Sequence, residues 1–138
     1  MIPLMLSYLN ALIFLAVSVF HYYWAFGGLY GFWAALPDVD DGTKAFVPGK
    51  IATAIVASLF LAVAIFYARV LPLGHTPYLS GFWTLAGITF LRAIGDFRYV
   101  GFFKKKRDGL FATYDSRYYS PLCLYLAIST AGIALFGV

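Results

Sequence analysis

Apolar residues fall in four long runs along the chain, at 4–30, 50–70, 79–102 and 120–137. The first and last runs contain no charged side chain, and none of the four shows the alternation of a β-strand. A helix needs about 20 residues to cross the hydrocarbon core of a bilayer, where only helices and closed barrels pair every backbone polar group. The pattern therefore predicts an all-α, polytopic membrane protein, a single domain at 1–138 that forms a four-transmembrane-helix bundle.

The fourth run carries a helix-start signal. Ser120 precedes Pro121. Serine is a good N-cap, and proline is tolerated at the first helical position because its missing N–H has no partner there. We expect the last helix to begin at this point. His75 lies in the breaker-rich connection between the second and third runs, and we expect it to be solvated.

Composition supports a membrane protein, and the basic residues suggest its orientation. Of 138 residues, 62% are hydrophobic and 12% are charged, against about 25% charged in soluble domains. The basic residues 104–107 and Arg117 lie between the third and fourth runs, Lys44 and Lys50 lie between the first and second, and only Arg69 falls on the other side. Positive loops tend to stay in the cytoplasm, which predicts N-out/C-out topology. We interpret the basic loop as attracted to the head groups of the lipid bilayer, and we expect no nucleic acid partner.

A polar stripe interrupts the third run. Thr89, Arg92, Asp96 and Tyr99 are spaced by three or four residues and would share one face of a continuous helix. Arg92 would then lie near the middle of the bilayer, with Asp96 as its partner. Charged groups at such depth cost about 2.5 to 3.5 kcal/mol each and normally turn inward to a site. The alternative is an ion pair that only fixes helix packing.

Other helices offer polar side chains at matching depth. His21 lies on a small-residue face of the first helix, and Tyr125 lies on the equivalent face of the last. Trp24 belongs to an aromatic cluster that suits either a membrane interface or a flat or cationic ligand. The predicted ligand-binding residues are His21, Trp24, Arg92, Asp96, Tyr99 and Tyr125. Because Cys123 is the only cysteine, no cysteine-based metal site is expected.

The chain resembles the bacterial membrane proteins grouped as domain of unknown function family 3995. The resemblance rests on "HYYWAFGGLYGFWAALP" at 21–37, "AFVPG" at 45–49, "FLRAIGDFRYVGFFKKK" at 90–106 and "FATYDSRYYSPLCLYL" at 111–126. It implies a multi-pass, four-helix protein of the bacterial cytoplasmic (inner) membrane and names no activity or cofactor. It also marks family-typical positions, namely His21, Trp24, Gly27, Gly28, Pro37, Arg92, Gly95, Asp96, Tyr99, Lys104, Asp115, Tyr119 and Pro121.

Three functions fit these residues. The first is binding or transport of a small polar or anionic molecule or a lipid head group, where transport by so small a chain would require a homo-oligomer. The second is a membrane enzyme that acts on a lipid or isoprenoid, with Asp96 or His21 as acid or base. The third is a structural or accessory subunit of the membrane. No motif among the residues identifies a cofactor, a catalytic group or the ligand.

Overall fold

The computed structural model describes residues 1–73 and 76–137, and His75 falls outside the described residues. Its α-helices are α1 (Ile2–Ala25), α2 (Lys50–Leu73), α3 (Leu79–Ile94), α4 (Leu110–Tyr114) and α5 (Ser120–Phe136), of which α4 is short. Two 3-10 turns lie at Trp33–Ala35 and Thr76–Tyr78. The described ranges contain no strand, which confirms the all-α prediction. The stretches Ile2–Ala25, Lys50–Arg69 and Leu110–Phe136 are long and apolar enough to cross a membrane.

The last helix begins ten residues before the predicted start. A π-helical segment, Asp115–Tyr119, joins α4 to α5 in one continuous helix. The Ser120 N–H donates to the Asp115 carbonyl, and Ser120 has helical backbone angles with no side-chain cap bond. The predicted N-cap role of Ser120 is therefore wrong. The wider π turn lies directly before Pro121, whose ring would otherwise clash with a carbonyl of the preceding turn.

Helix α3 ends at Ile94, eight residues before the predicted boundary. Gly95 leaves the helix with a φ of 86°, and a Cβ placed on it would lie 1.7 Å from the Val100 carbonyl oxygen. Gly101 has a φ of 91°, and a Cβ placed on it would likewise clash with the Ile94 carbonyl oxygen. Only glycine fits such an approach at positive φ, so these two residues turn the chain sharply. Arg92 consequently lies in the last turn of α3 and not at mid-helix.

The helices pack as two hairpins that share one core. Helix α1 lies along α2, α3 lies along α5, and α1 also contacts α5. Phe14, Tyr67, Phe82, Leu126 and Ile133 are among the buried residues between them. Large apolar side chains cover much of the outer surface as well, for example Ile51 and Leu91. An apolar exterior of this extent is typical of a protein surrounded by lipid.

A set of uncharged polar side chains is buried inside the bundle, and we call it the neutral network: Ser7, Asn10, Tyr67, Ser129 and Thr130. The Asn10 amide donates to Ser129 Oγ at 3.0 Å and to Thr130 Oγ1 at 3.4 Å, and Ser129 Oγ donates to Asn10 Oδ1 at 3.2 Å. The Tyr67 hydroxyl lies 2.5 Å from Thr130 Oγ1, and the Ser7 hydroxyl donates to the Tyr67 carbonyl at 2.6 Å. The network therefore joins α1, α2 and α5.

The opposite end of the bundle holds the charged side chains. We call it the basic end: loops 26–49 and 95–109 with the adjoining ends of the helices. The two loops contact each other, because Arg98 pairs with Asp40 at 2.9 Å and the Tyr99 hydroxyl donates to the same carboxylate at 3.2 Å. The Tyr119 hydroxyl also donates to the Ala34 carbonyl at 3.2 Å. The acidic stretch near Asp40 thus fastens one loop to the other.

Candidate functional site

A buried carboxylate lies at the centre of the basic end. The Asp115 side chain is fully buried on the π-helical segment. Its Oδ1 accepts a hydrogen bond from Arg92 Nη2 at 2.8 Å, and its Oδ2 accepts from Lys104 Nζ at 3.0 Å and from the Gly101 N–H at 2.8 Å. We call Arg92, Lys104 and Asp115 the charge cluster. It connects α3, the 95–109 loop and the last helix.

Lys104 uses all three of its ammonium hydrogens inside the protein. Besides Asp115, Nζ donates to the Gly101 carbonyl at 3.0 Å and to Ser116 Oγ at 2.6 Å. Its side chain is as fully buried as that of Asp115. A buried ammonium requires this complete set of acceptors, because desolvation otherwise outweighs its attraction to one carboxylate.

The charge cluster contains one more cation than anion. Arg92 and Lys104 share the single carboxylate of Asp115. The chain contains no glutamate. Its other aspartates are engaged elsewhere, Asp38 with Lys44, Asp40 with Arg98, Asp41 with Thr43, Asp96 with backbone N–H groups and Asp108 with Lys106. The charge cluster therefore carries one positive charge that no aspartate neutralises.

Arg92 and Ser120 each have a polar side-chain atom without a hydrogen-bond partner among the described residues. One is Arg92 Nη1 and the other is Ser120 Oγ, and both atoms are buried. Ser120 follows Asp115 by one π turn, so both residues lie on the same face of the helix. The Arg92 side chain is 33% exposed, whereas the side chains of Asp115 and Lys104 are fully buried. Arg92 is thus the one member of the cluster whose side chain is partly exposed.

The predicted pair of Arg92 and Asp96 is wrong. Asp96 lies beyond the end of α3, and its Oδ1 accepts the N–H groups of Arg98, Tyr99 and Val100 at 2.8 to 3.0 Å. Burial raises the pKa of the Asp96 carboxyl, but these three hydrogen bonds outweigh it and the pKa lies below its usual value of 3.8. Asp96 shapes a turn, and Asp115 is the partner of Arg92.

A family model described as a protein of unknown function (DUF3995) matches residues 14–130. The chain belongs to this family. Comparisons with curated proteins and with solved structures gave no match. The matched range of this DUF3995 protein includes the whole charge cluster and Ser120.

The structure of the DUF3995 chain does not bring the predicted site residues together. His21 Nδ1 donates to the Val17 carbonyl at 2.7 Å, and its ring lies 5.0 Å from the rings of both Trp24 and Phe60, at the contact of α1 and α2. Trp24 Nε1 donates to the Tyr30 carbonyl at 2.8 Å. Trp24 also lines a cavity of about 320 Å³ beside Gly27, Phe32 and Lys50. Neither residue contacts the charge cluster.

Tyr99 and Tyr125 lie in two further places. Tyr99 faces the acidic loop through Asp40, and the Arg98 guanidinium lies 5.0 Å from the centre of its ring. The hydroxyl of Tyr125 is buried on α5 and has no partner within the described part of the chain. Of the six predicted residues, Arg92 alone belongs to the charge cluster. Ligand binding by all six stays a prediction.

Sequence reasoning missed Lys104, Asp115 and Ser120 as site residues. It took Lys104 for a residue flanking a span, and it placed Asp115 in a connection because Pro121 looked like a helix start. The resemblance had already marked Lys104 and Asp115 as family-typical positions. An aspartate among family-typical residues, close before an apolar helix, was the available signal for a buried partner of Arg92.

Proposed function

We propose that this DUF3995 protein is a multi-pass protein of the bacterial cytoplasmic membrane that binds an anionic oxygen group at the charge cluster. The group is a phosphate or carboxylate, carried either by a lipid head group or by a small polar molecule. In this proposal four helices cross the bilayer, both termini face outward, and the basic end faces the cytoplasm. The orientation is supported by nine of the ten Lys and Arg residues, which lie at that end.

The observation that carries the proposal is the unbalanced charge of the cluster. Two cations share the carboxylate of Asp115, and Arg92 Nη1 is buried without a partner. An unpaired charged donor away from water is costly, and a bound anion would remove that cost. Among the described residues, no side-chain acceptor other than Asp115 bonds to the guanidinium.

The parts of the cluster suit recognition of an oxyanion. The planar guanidinium of Arg92 presents donors in a fixed fork that matches carboxylate and phosphate oxygens. Asp115 holds that fork in place through Nη2 and leaves Nη1 available. The Ser120 hydroxyl, one turn from Asp115, supplies a second free donor. Lys104 adds a fixed positive charge without being a ligand itself, because its three donors are occupied.

Binding is favoured over transport by the distribution of charge. The charge cluster lies at one end of the bundle, and the opposite half holds the neutral network and one charged residue, Arg69. The neutral network offers hydrogen bonds that are already made. An anion that leaves Arg92 would meet Arg69 as the one cation of the opposite half, and Arg69 is exposed on the outside of α2.

Binding can be tested with the purified, delipidated protein in a neutral detergent. Native mass spectrometry and thermal unfolding are measured with inorganic phosphate in one arm and with short-chain phosphatidic acid in the other. A bound oxyanion stabilises the folded state by about 2.7 kcal/mol at a hundredfold excess over its Kd. Stabilisation by both probes indicates a site for phosphate itself, and stabilisation by the lipid alone indicates a head-group site.

Two substitutions at one position separate charge from geometry. Arg92→Gln removes the excess charge, and we expect it to abolish stabilisation by either probe. Arg92→Lys keeps the charge but loses the fork, and we expect it to weaken binding at least tenfold. Arg98→Gln removes an exposed charge at the same end and is the matched control, with binding unchanged. Equal binding by wild type and Arg92→Gln would leave the charge cluster with a packing role only.

A further inference from the structure

The helix α3 is too short to cross a bilayer by itself. Its 16 residues span about 24 Å at 1.5 Å per residue, against a hydrocarbon core of about 30 Å. By the same measure the 24 residues of α1 span about 36 Å. The loop 95–109 follows α3 directly at the basic end. It is therefore the segment available to cover the part of the bilayer thickness that α3 does not span.

About half of the backbone N–H groups of this loop donate hydrogen bonds within the protein. Asp96 Oδ1 accepts three successive N–H groups. The Phe102 N–H donates to the Ala93 carbonyl at 2.8 Å, and the N–H groups of residues 105 and 106 both donate to the Arg98 carbonyl. The Gly101 N–H donates to Asp115. Irregular backbone is tolerated at membrane depth only when the protein satisfies its polar groups in this way.

Two phenylalanines project from the loop. Phe97 is 58% exposed and Phe103 is 62% exposed, and their ring centres lie 6.3 Å apart. Phe97 adopts a φ of 63°, which is uncommon for a bulky residue and is usually left to glycine or asparagine. The local fold therefore places two large apolar side chains outside the bundle, one of them, Phe97, in a backbone conformation that disfavours bulky residues.

Basic side chains lie directly beside this pair. The loop carries five basic and two acidic residues. Lys104 is buried in the charge cluster and Arg98 is paired with Asp40, whereas Lys105 and Arg107 are exposed and form no ion pair within the described residues. Exposed cations next to exposed aromatic rings match the polar and apolar layers of an anionic leaflet.

We propose that the loop 95–109 is inserted into the membrane interface. Phe97 and Phe103 enter the boundary between head groups and acyl chains, and Lys105 and Arg107 bind the phosphates of anionic phospholipids in the same leaflet. The loop completes the thickness that α3 lacks. This inference requires α3 to lie in a membrane, as in the proposed function, but it does not require an anion at Arg92.

The depth of the loop can be measured with a fluorophore attached to single cysteines in a Cys123→Ser background. Phe97→Cys and Phe103→Cys report on the loop, Ile88→Cys on the exposed surface of α3 and Thr43→Cys on the acidic loop. The full chain is placed in nanodiscs that contain nitroxide-labelled phospholipids. Lipids labelled near the head group should strongly quench the fluorophores at 97 and 103. Lipids labelled deep in the acyl chain should quench the fluorophore at 88, and neither lipid should quench much at 43. Quenching at 97 and 103 no greater than at 43 would overturn the proposal.

The lipid class is tested by discs of phosphatidylcholine with and without phosphatidylglycerol. Replacing Lys105 and Arg107 by Gln should reduce the preference for phosphatidylglycerol about fivefold for each charge removed, while the stabilisation by inorganic phosphate that is proposed for Arg92 should stay as in wild type. The last result distinguishes this surface from the proposed anion site. An unchanged preference in the Lys105 and Arg107 variants would contradict the lipid contact.

Phe97→Gly is the control for a folding defect. It removes the aromatic ring, and glycine adopts the observed φ without strain. We expect the unfolding temperature of this variant to be at least that of wild type. We also expect weaker quenching of a fluorophore at 103. If quenching at 97 and 103 appeared only in discs that hold two copies of the chain, the phenylalanines would contact a second protein copy and the lipid contact would be excluded.

Discussion

The neutral network and the charge cluster differ in whether all of their buried polar atoms are paired. In the neutral network, Asn10, Tyr67 and Thr130 bond to one another and to a further hydroxyl, and none of their side-chain polar atoms is unpaired within the described structure. In the charge cluster, Asp115 and Lys104 are equally well paired, but Arg92 retains a free nitrogen and an unbalanced charge.

The difference indicates two kinds of burial. Neutral hydrogen bonds between membrane helices contribute about 1 kcal/mol and fix which faces meet. An excess charge contributes no such packing energy, because its desolvation is not repaid by a partner. The proposal of a ligand at Arg92 rests on this difference. The following predictions test this comparison, from the largest expected effect to the smallest.

Asp115→Asn should produce the largest loss of stability. It leaves Arg92 and Lys104 without their shared carboxylate, and removing one partner of a buried ion pair costs about 3 to 5 kcal/mol. Denaturant unfolding in detergent micelles measures the effect. Asp108→Asn is the matched control, because Asp108 is 85% exposed in its pair with Lys106 and should change stability by less than about 1 kcal/mol. Similar losses in both variants would mean that the buried carboxylate is not the centre of the basic end.

Asn10→Leu should cause the next largest loss, about 1 to 2 kcal/mol, because it removes the hydrogen bonds to Ser129 and Thr130. The same unfolding measurement applies, and Tyr8→Leu on the exposed side of α1 is the control. Neither variant should change anion binding. A loss of binding in Asn10→Leu at full retention of the fold would contradict the division between the two clusters.

The positions of the helices could be predicted from the sequence, since uncharged apolar runs have few alternatives to helices in lipid. The second run and α2 overlap almost completely, whereas α1 ends at Ala25, five residues before the end of the first run. The end of α3 was missed because the four-residue spacing of Arg92 and Asp96 was given more weight than Gly95 between them. Glycine beside aspartate is a turn signal, and here the turn prevailed over the helical spacing.

The composition of the site could not be predicted from local spacing. Arg92 and Asp115 are 23 residues apart, and their contact depends on how α3 and the last helix pack. The π segment that aims Asp115 inward depends in turn on a helix that passes through Pro121. Only Arg92 could be identified beforehand, because an arginine in an apolar run signals a site whatever its partner is.

Asp96→Ala should reduce stability by about 1 kcal/mol, with a pH dependence of known sign. The side chain caps three N–H groups, and a cap of this kind contributes about 0.5 to 2 kcal/mol. Because the pKa of folded Asp96 lies below its usual value of 3.8, its contribution is complete above that value and is lost as the pH falls through the folded pKa. The difference between wild type and Asp96→Ala should therefore shrink below pH 3.8. The difference between Asp96→Asn and Asp96→Ala should not change with pH, because neither side chain titrates. A difference that grows on acidification would contradict this role.

Arg92→Gln should have the smallest effect on stability and the clearest effect on binding. It removes the unbalanced charge, leaves Asp115 paired with Lys104 and the Gly101 N–H, and places an amide donor near Oδ1. We expect a loss below about 1 kcal/mol, since the side chain is one-third exposed. If Arg92 only supported packing, Arg92→Gln would lower stability and leave oxyanion binding as in wild type. A small loss of stability together with a complete loss of oxyanion binding is the combination that a ligand-binding arginine requires and that a structural ion pair does not produce.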